Sequence, residues 1–145
     1  MQEQALNMRI NLVWARCNML YSRIAAQSGL GYPEFMVLYG IRAFGYRSQK
    51  EIAENCGLVK QTVNSVIRDL RARGMLELIP SERDRRARII ALTDTGKSYV
   101  TEKIGPVLET EREIYHRIGD DRVAEAAETL DLFNVLLEKK INDEV

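Results

Sequence analysis

The sequence predicts a mainly α-helical fold with one small β-hairpin, and three observations between Ser48 and Ser98 predict it. A short segment opens on the pattern Ser-x-x-Glu and is followed, across a glycine, by the amphipathic stretch KQTVNSVIRDLRAR. Two strand-like apolar runs, 75–79 and 88–92, then flank an arginine-rich loop. Helix, turn, helix and hairpin in that order describe a winged helix-turn-helix, which lays one helix in a DNA groove with a basic wing beside it. Long amphipathic segments lie on either side. The chain therefore reads as a single domain, 1–145, with a winged core at 32–98 between dimerisation helices at 1–30 and 99–145.

The first helix is expected over about residues 4–27. Leu6, Ile10, Val13, Cys17, Leu20 and Ile24 recur at steps of three and four, and Trp14 and Tyr21 widen that apolar stripe. Gly29-Leu30-Gly31 ends it. Pro33 suits the first turn of a second helix, PEFMVLYGIRAFG, where a missing N–H costs nothing. That helix is apolar almost all round and belongs in the core.

Ser48 and Glu51 form a capping box that opens a third helix, with Ile52 and Ala53 facing inward and Gly57 making the turn. The fourth helix runs over about 60–73, buries Val63, Val66, Ile67 and Leu70, and closes on Gly74. The strands 75–79 and 88–92 follow, with Pro80 to Ala87 as their loop. Thr93 is a good N-cap for a long fifth helix reaching about Ile118, which Pro106 is expected to kink or interrupt. Asp120 is expected to cap a final helix whose stripe is Val123, Ala127, Leu130, Phe133, Leu137 and Ile141.

Composition narrows the class. No apolar run approaches the roughly 20 residues of a membrane span, and the N-terminus lacks a signal-peptide pattern. Two cysteines without CxxC spacing and a single histidine point away from a disulfide framework and from a metal site. No cofactor is implied, no membrane partner is expected, and a cytoplasmic location is the simplest expectation. The formal net charge is zero, but it is uneven: residues 60–90 carry +4 and residues 102–145 carry −6. That polarity suits a middle facing phosphate and a far end facing solvent or a partner chain.

Off its buried stripe the fourth helix presents Lys60, Gln61, Thr62, Asn64, Ser65 and Arg68. Amides read adenine bidentately, arginine reads guanine, and hydroxyls reach phosphates or base edges. An ordinary solvated helix face carries Glu–Lys pairs, whereas no carboxylate appears here before Asp69. In the loop, Arg85 and Arg86, with Arg88 just behind them, are placed to enter a minor groove. Asp84 is expected to orient the wing by pairing with the Arg86 guanidinium.

The array Asp84, Arg86, Arg88, Leu92, Thr93 and Gly96, with Leu70, Gly74 and Leu76 before it, resembles the MarR family of bacterial transcription regulators. The family's wing carries Asp-x-Arg, then an arginine two residues later, then Leu-Thr and Gly. The likeness covers nearly the whole chain and is specific from Ser48 to Gly96. It implies an obligate homodimer with intertwined terminal helices, bound as double-stranded DNA readers to the halves of a pseudo-palindromic operator. It also implies a repressor whose DNA binding is relieved by a small aromatic effector. Val59 stands where the family often has Ser or Thr, so the side-chain cap of the recognition helix is absent. Cys56 occupies a leucine-like position and reads as a small core residue.

Dimerisation follows from the residues as well. The stripes of the first and last helices are too long for the winged core to cover, and exposed apolar patches beyond about 300–600 Å² are unusual on monomers. Two alternatives accompany the reading. One is a winged-helix module that binds protein only, which the arginines at 68, 85 and 86 oppose. The other is a redox-sensing regulator built on Cys17, since Cys17, Tyr21 and Tyr32-Pro33 echo MarR-like peroxide sensors. Against it, the Cys17–Tyr32 interval is shorter than in those sensors and Cys17 falls on the apolar stripe. Tyr21, Tyr32, Phe35 and Tyr39 are candidates for an effector pocket, or for core. His116 reads as a surface residue. No nucleophile–histidine pair, phosphate loop or ligand cluster supports an enzyme.

Overall fold

A computed structural model describes residues 2–143, with side chains from residue 8 onward. The order is α1 (Gln2–Gln27), α2 (Tyr32–Phe44), α3 (Gln49–Asn55), α4 (Lys60–Ala72), β1 (Leu76–Pro80), β2 (Arg88–Leu92), α5 (Asp94–Ile118) and α6 (Asp120–Asp143). The strands pair antiparallel, Leu76 opposite Leu92 and Pro80 opposite Arg88. The predicted class holds: mainly helical, with one two-stranded hairpin. The chain divides into two compact units, Met1–Val107 and Leu108–Val145.

The first unit holds the core. Phe35, Val37 and Leu38 of α2, Ile52 of α3, and Val63, Ile67 and Leu70 of α4 are buried together with Leu76, Ile90, Val100 and Ile104. Removing each such large side chain from water contributes about 1.5–3 kcal/mol. The α4 stripe is as the sequence predicts, with Val66 half-buried at its edge. Gly74 has φ 72°, the left-handed conformation a helix end requires. Around it the Met75 N–H donates to Leu70 O (2.9 Å) and the Gly74 N–H to Arg71 O (3.0 Å), a Schellman closure. Because Met75 gives its N–H to the helix, β1 begins one residue later than its apolar run, and Pro80 takes the last place.

Thr93 caps α5 as expected: its Oγ1 accepts the Gly96 N–H (3.0 Å) and donates to Gly74 O (2.7 Å). Of two other expectations, the interruption at Pro106 is absent, since α5 runs through it, and the cap at Asp120 is not formed. A mid-helix proline removes one backbone bond, and the preceding residue is Gly105, which offers no Cβ to the pyrrolidine ring. Asp120 is the first residue of α6 rather than its cap. Gly119 does both jobs at that corner, donating to Tyr115 O (2.9 Å) and accepting the Val123 N–H (3.1 Å). Asp120 and Asp121 then sit in the first turn, where negative charge favours the helix dipole.

The flanking stripes are not closed within the chain. In α1, residues 8–20 are all exposed, including Trp14 and Cys17, which the sequence placed on a buried face. Leu6 lies outside the residues whose side chains are described. No described residue of α6 is buried. Among the described residues, no helix is long and apolar enough to cross a membrane.

Candidate nucleic-acid interface

The interface is built on α3, α4 and the hairpin. The capping box at α3 is complete: the Glu51 N–H donates to Ser48 Oγ (3.1 Å), and Glu51 Oε2 accepts the backbone N–H groups of Ser48 (2.9 Å) and Arg47 (3.2 Å). The Arg47 and Ser48 donors hold the Glu51 carboxyl below its ordinary value. The Arg47 carbonyl accepts the Ile90 N–H at 2.7 Å, which ties β2, and so the wing, to the start of the helix-turn-helix. Behind α3, Cys56 is half-buried rather than fully inside. Its Sγ lies 2.9 Å from where a side chain on Gly40 would begin, and burial pushes its thiol up, away from thiolate.

On α4, Lys60, Gln61, Asn64, Ser65 and Arg68 are exposed, and Thr62 is half-buried. Gln61, Asn64, Ser65 and Arg68 recur at steps of three and four, so one face collects them. No acidic residue occupies the first turn. The helix starts at Val59 with no side-chain cap bond, as the sequence predicts.

The wing turns at Asp84-Arg85-Arg86-Ala87, where the Ala87 N–H donates to Asp84 O at 3.0 Å. Asp84, Arg85, Arg86 and Arg88 are all exposed. The expected pairing of Asp84 with the Arg86 guanidinium is not formed. Its Oδ1 instead accepts the backbone N–H of Arg86 at 2.9 Å. Two residues on, that N–H is nearer than the end of a long side chain, and aspartate at the first turn position makes this bond readily. Asp84 thus shapes the loop while the arginine heads stay in solvent.

The roles of two residues go beyond the sequence analysis, which has Arg73 only as a charge and Gly96 only as part of the array. Arg73 counts in the basic stretch, yet its guanidinium is engaged by Glu34 and Asp69, both carboxylates. Gly96 matters for space: a Cβ there would lie 1.7 Å from the Met75 carbonyl oxygen. No local signal reveals Arg73, because one partner is 39 residues away.

A family model described as "MarR family" matches residues 28–87. A solved MarR family regulator from Neisseria meningitidis, NMB1585, is 35% identical, covering 100% of this chain and 99% of that one, with a TM-score of 0.81. The chain belongs to the MarR family. Its membership makes it a transcriptional regulator of the winged-helix type rather than an enzyme. BpsR of Bordetella bronchiseptica, solved to explain regulation of its DNA binding by 6-hydroxynicotinic acid, is 25% identical over 74% of this chain and 76% of its own, with a TM-score of 0.54. The repressor NicR of Pseudomonas putida is 28% identical over 83 residues, 57% of this chain and 52% of NicR. The chain spans about half the length of the curated relatives it matches.

Proposed function

We propose that the chain is a homodimeric, sequence-specific repressor that places α4 in the major groove and the wing in the flanking minor groove. The observation that carries this is the exposed face of α4, polar and free of carboxylate through its first turns, tied by the Arg47–Ile90 bond to a wing whose arginines are unpaired by Asp84. Gln61, Asn64 and Arg68 read base edges. Lys60, Thr62 and Ser65 hold phosphates, and Arg85, Arg86 and Arg88 follow the backbone and minor groove. Residues 32–98 act as the DNA-binding core, and 1–30 with 99–145 as dimerisation helices, whose exposed stripes a second copy would cover.

Relief of binding by a small aromatic effector is supported by BpsR, whose DNA binding responds to 6-hydroxynicotinic acid. Acting on the chromosome, such a repressor works in the cytoplasm. The test is selection of random duplex DNA on the purified chain at fixed, near-physiological salt. Enrichment of a pseudo-palindrome with half-sites about 10 bp apart is expected. A folded protein that enriches no sequence would move the reading to a winged helix that binds protein.

A further inference from the structure

The recognition helix is held unequally at its two ends. At the N-terminal end Val59 supplies no cap, and the flanking side chains are exposed. At the C-terminal end Arg73 joins three elements. Its Nη1 donates to Glu34 Oε1 of α2 (2.9 Å) and to Asp69 Oδ2 of α4 itself (3.1 Å), while Nη2 donates to the Tyr99 hydroxyl of α5 (2.8 Å). The Tyr99 hydroxyl in turn donates to Glu34 Oε1 (3.0 Å), closing the ring of bonds. The guanidinium also lies 5.0 Å from the centre of the Tyr99 ring, and Lys103 Nζ approaches the same ring at 5.8 Å. The Tyr99 hydroxyl and the two carboxylates raise the Arg73 pKa further, so the charge is permanent.

With two carboxylates on it, Arg73 adds no net positive charge to the DNA-facing surface. Its planar fork does what a point charge cannot: it fixes α4 relative to α2 and α5 in one geometry. We propose that Arg73 and Tyr99 are positioning residues that set the angle at which the N-terminal half of α4 meets the bases. Operator discrimination then depends on the cluster, and attraction to DNA in general does not. This rests on the reading of α4 as the recognition helix.

The test compares the full-length wild type with Arg73→Lys and Tyr99→Phe, both of which conserve charge. Each is titrated against the selected operator and a random duplex over a range of salt. Arg73→Lys is expected to lose about fivefold in operator preference, because a bond network worth on the order of 1 kcal/mol is broken while charge is kept. Tyr99→Phe should shift preference the same way by about twofold, keeping the ring but not the hydroxyl. Affinity for the random duplex and the salt slope stay unchanged in both, since no phosphate contact is lost. If Arg73 simply held a phosphate, lysine would replace it and the preference would not move. If the cluster only stabilised the fold, the melting temperature would fall with preference intact. Either result overturns the proposal. Should the wild type itself select no operator, the DNA reading fails first, and the clamp with it. If Arg73→Lys does not fold, Tyr99→Phe alone decides between these outcomes.

Discussion

Helices α4 and α6 carry the same kind of apolar stripe and meet opposite fates. Val63, Ile67 and Leu70 of α4 are fully enclosed by the chain's own α2, α3 and hairpin region, whereas Leu130, Phe133, Leu137 and Ile141 of α6 are 39–56% exposed. A stripe at helical spacing states that a face is to be buried, but not by what. In the winged core the burial is intramolecular, so that region's stability belongs to one chain. In α1 and α6 the apolar stripes stay exposed on the chain itself; if a second copy covers them, as proposed, their order should depend on protein concentration.

The sharpest way to break this contrast is to charge the open stripe. Leu137→Glu is expected to weaken self-association at least about 100-fold, because a carboxylate replaces an apolar group that association would dehydrate. Sedimentation equilibrium reads it directly. A wild type sedimenting as a 16.6 kDa species at micromolar concentration would dissolve the contrast, since the stripe would then be open in solution too.

The closed region should fail by a different route. Gly96→Ala would place a Cβ 1.7 Å from the Met75 carbonyl oxygen and 2.7 Å from its carbon. Both are backbone atoms next to β1, so α5 and the hairpin must separate. We expect a loss of about 3 kcal/mol or more in a urea melt, independent of protein concentration. A dependence on concentration would mean that the core, like the flanking helices, is completed by a partner.

Within the closed region, the two basic elements should respond differently. Arg68→Ala is expected to cost about 1–3 kcal/mol at the operator and relax preference at one base pair. Arg86→Ala should weaken all sequences alike and flatten the salt dependence by roughly 0.9 in log–log slope. Uniform weakening by both would remove the base-reading role of α4. An unchanged affinity for Arg86→Ala would remove the wing.

What was legible in the sequence follows the range of the interactions. The capping box at Ser48 and Glu51, the closure at Gly74 and the cap at Thr93 are bonds within a few residues, and each formed as the local pattern predicts. Errors arose where two local partners competed. Asp84 took a backbone N–H over a guanidinium, and Gly119 displaced Asp120 as the cap. Pro106 leaves α5 uninterrupted because one lost bond is small against the rest of a 25-residue helix. Arg73 was out of reach altogether: Glu34 and Tyr99, which bond to each other, stand 65 residues apart, and only the packed fold brings them to one guanidinium. The exposed polar residues of α4 were legible as a face, since periodicity fixes which residues share it. The DNA contacts proposed for them would belong to a complex and were not.

The two helix starts provide a finer contrast between neighbouring elements. At α3, Ser48 and Glu51 satisfy free backbone N–H groups, and at α4 Val59 satisfies none with its side chain. Val59 already has the extended conformation a capping residue needs, φ −71° and ψ 145°, and is 69% exposed, so serine fits without strain. Val59→Ser should therefore stabilise the fold by about 0.5–1 kcal/mol, and Ser48→Ala should destabilise it by a similar amount. The Ser48→Ala loss should shrink in acid. Glu51 has its pKa lowered by folding, so its contribution is present above the unfolded value of about 4.3 and disappears as pH falls through the lower folded one. Without the Ser48 hydroxyl the folded pKa rises toward that unfolded value, leaving less to lose on acidification. If urea melts at pH 7 and pH 3 gave the same difference between wild type and Ser48→Ala, the bond from the Ser48 hydroxyl to the Glu51 carboxylate would contribute nothing to stability. The contrast between the two helix starts would then reduce to a single hydroxyl.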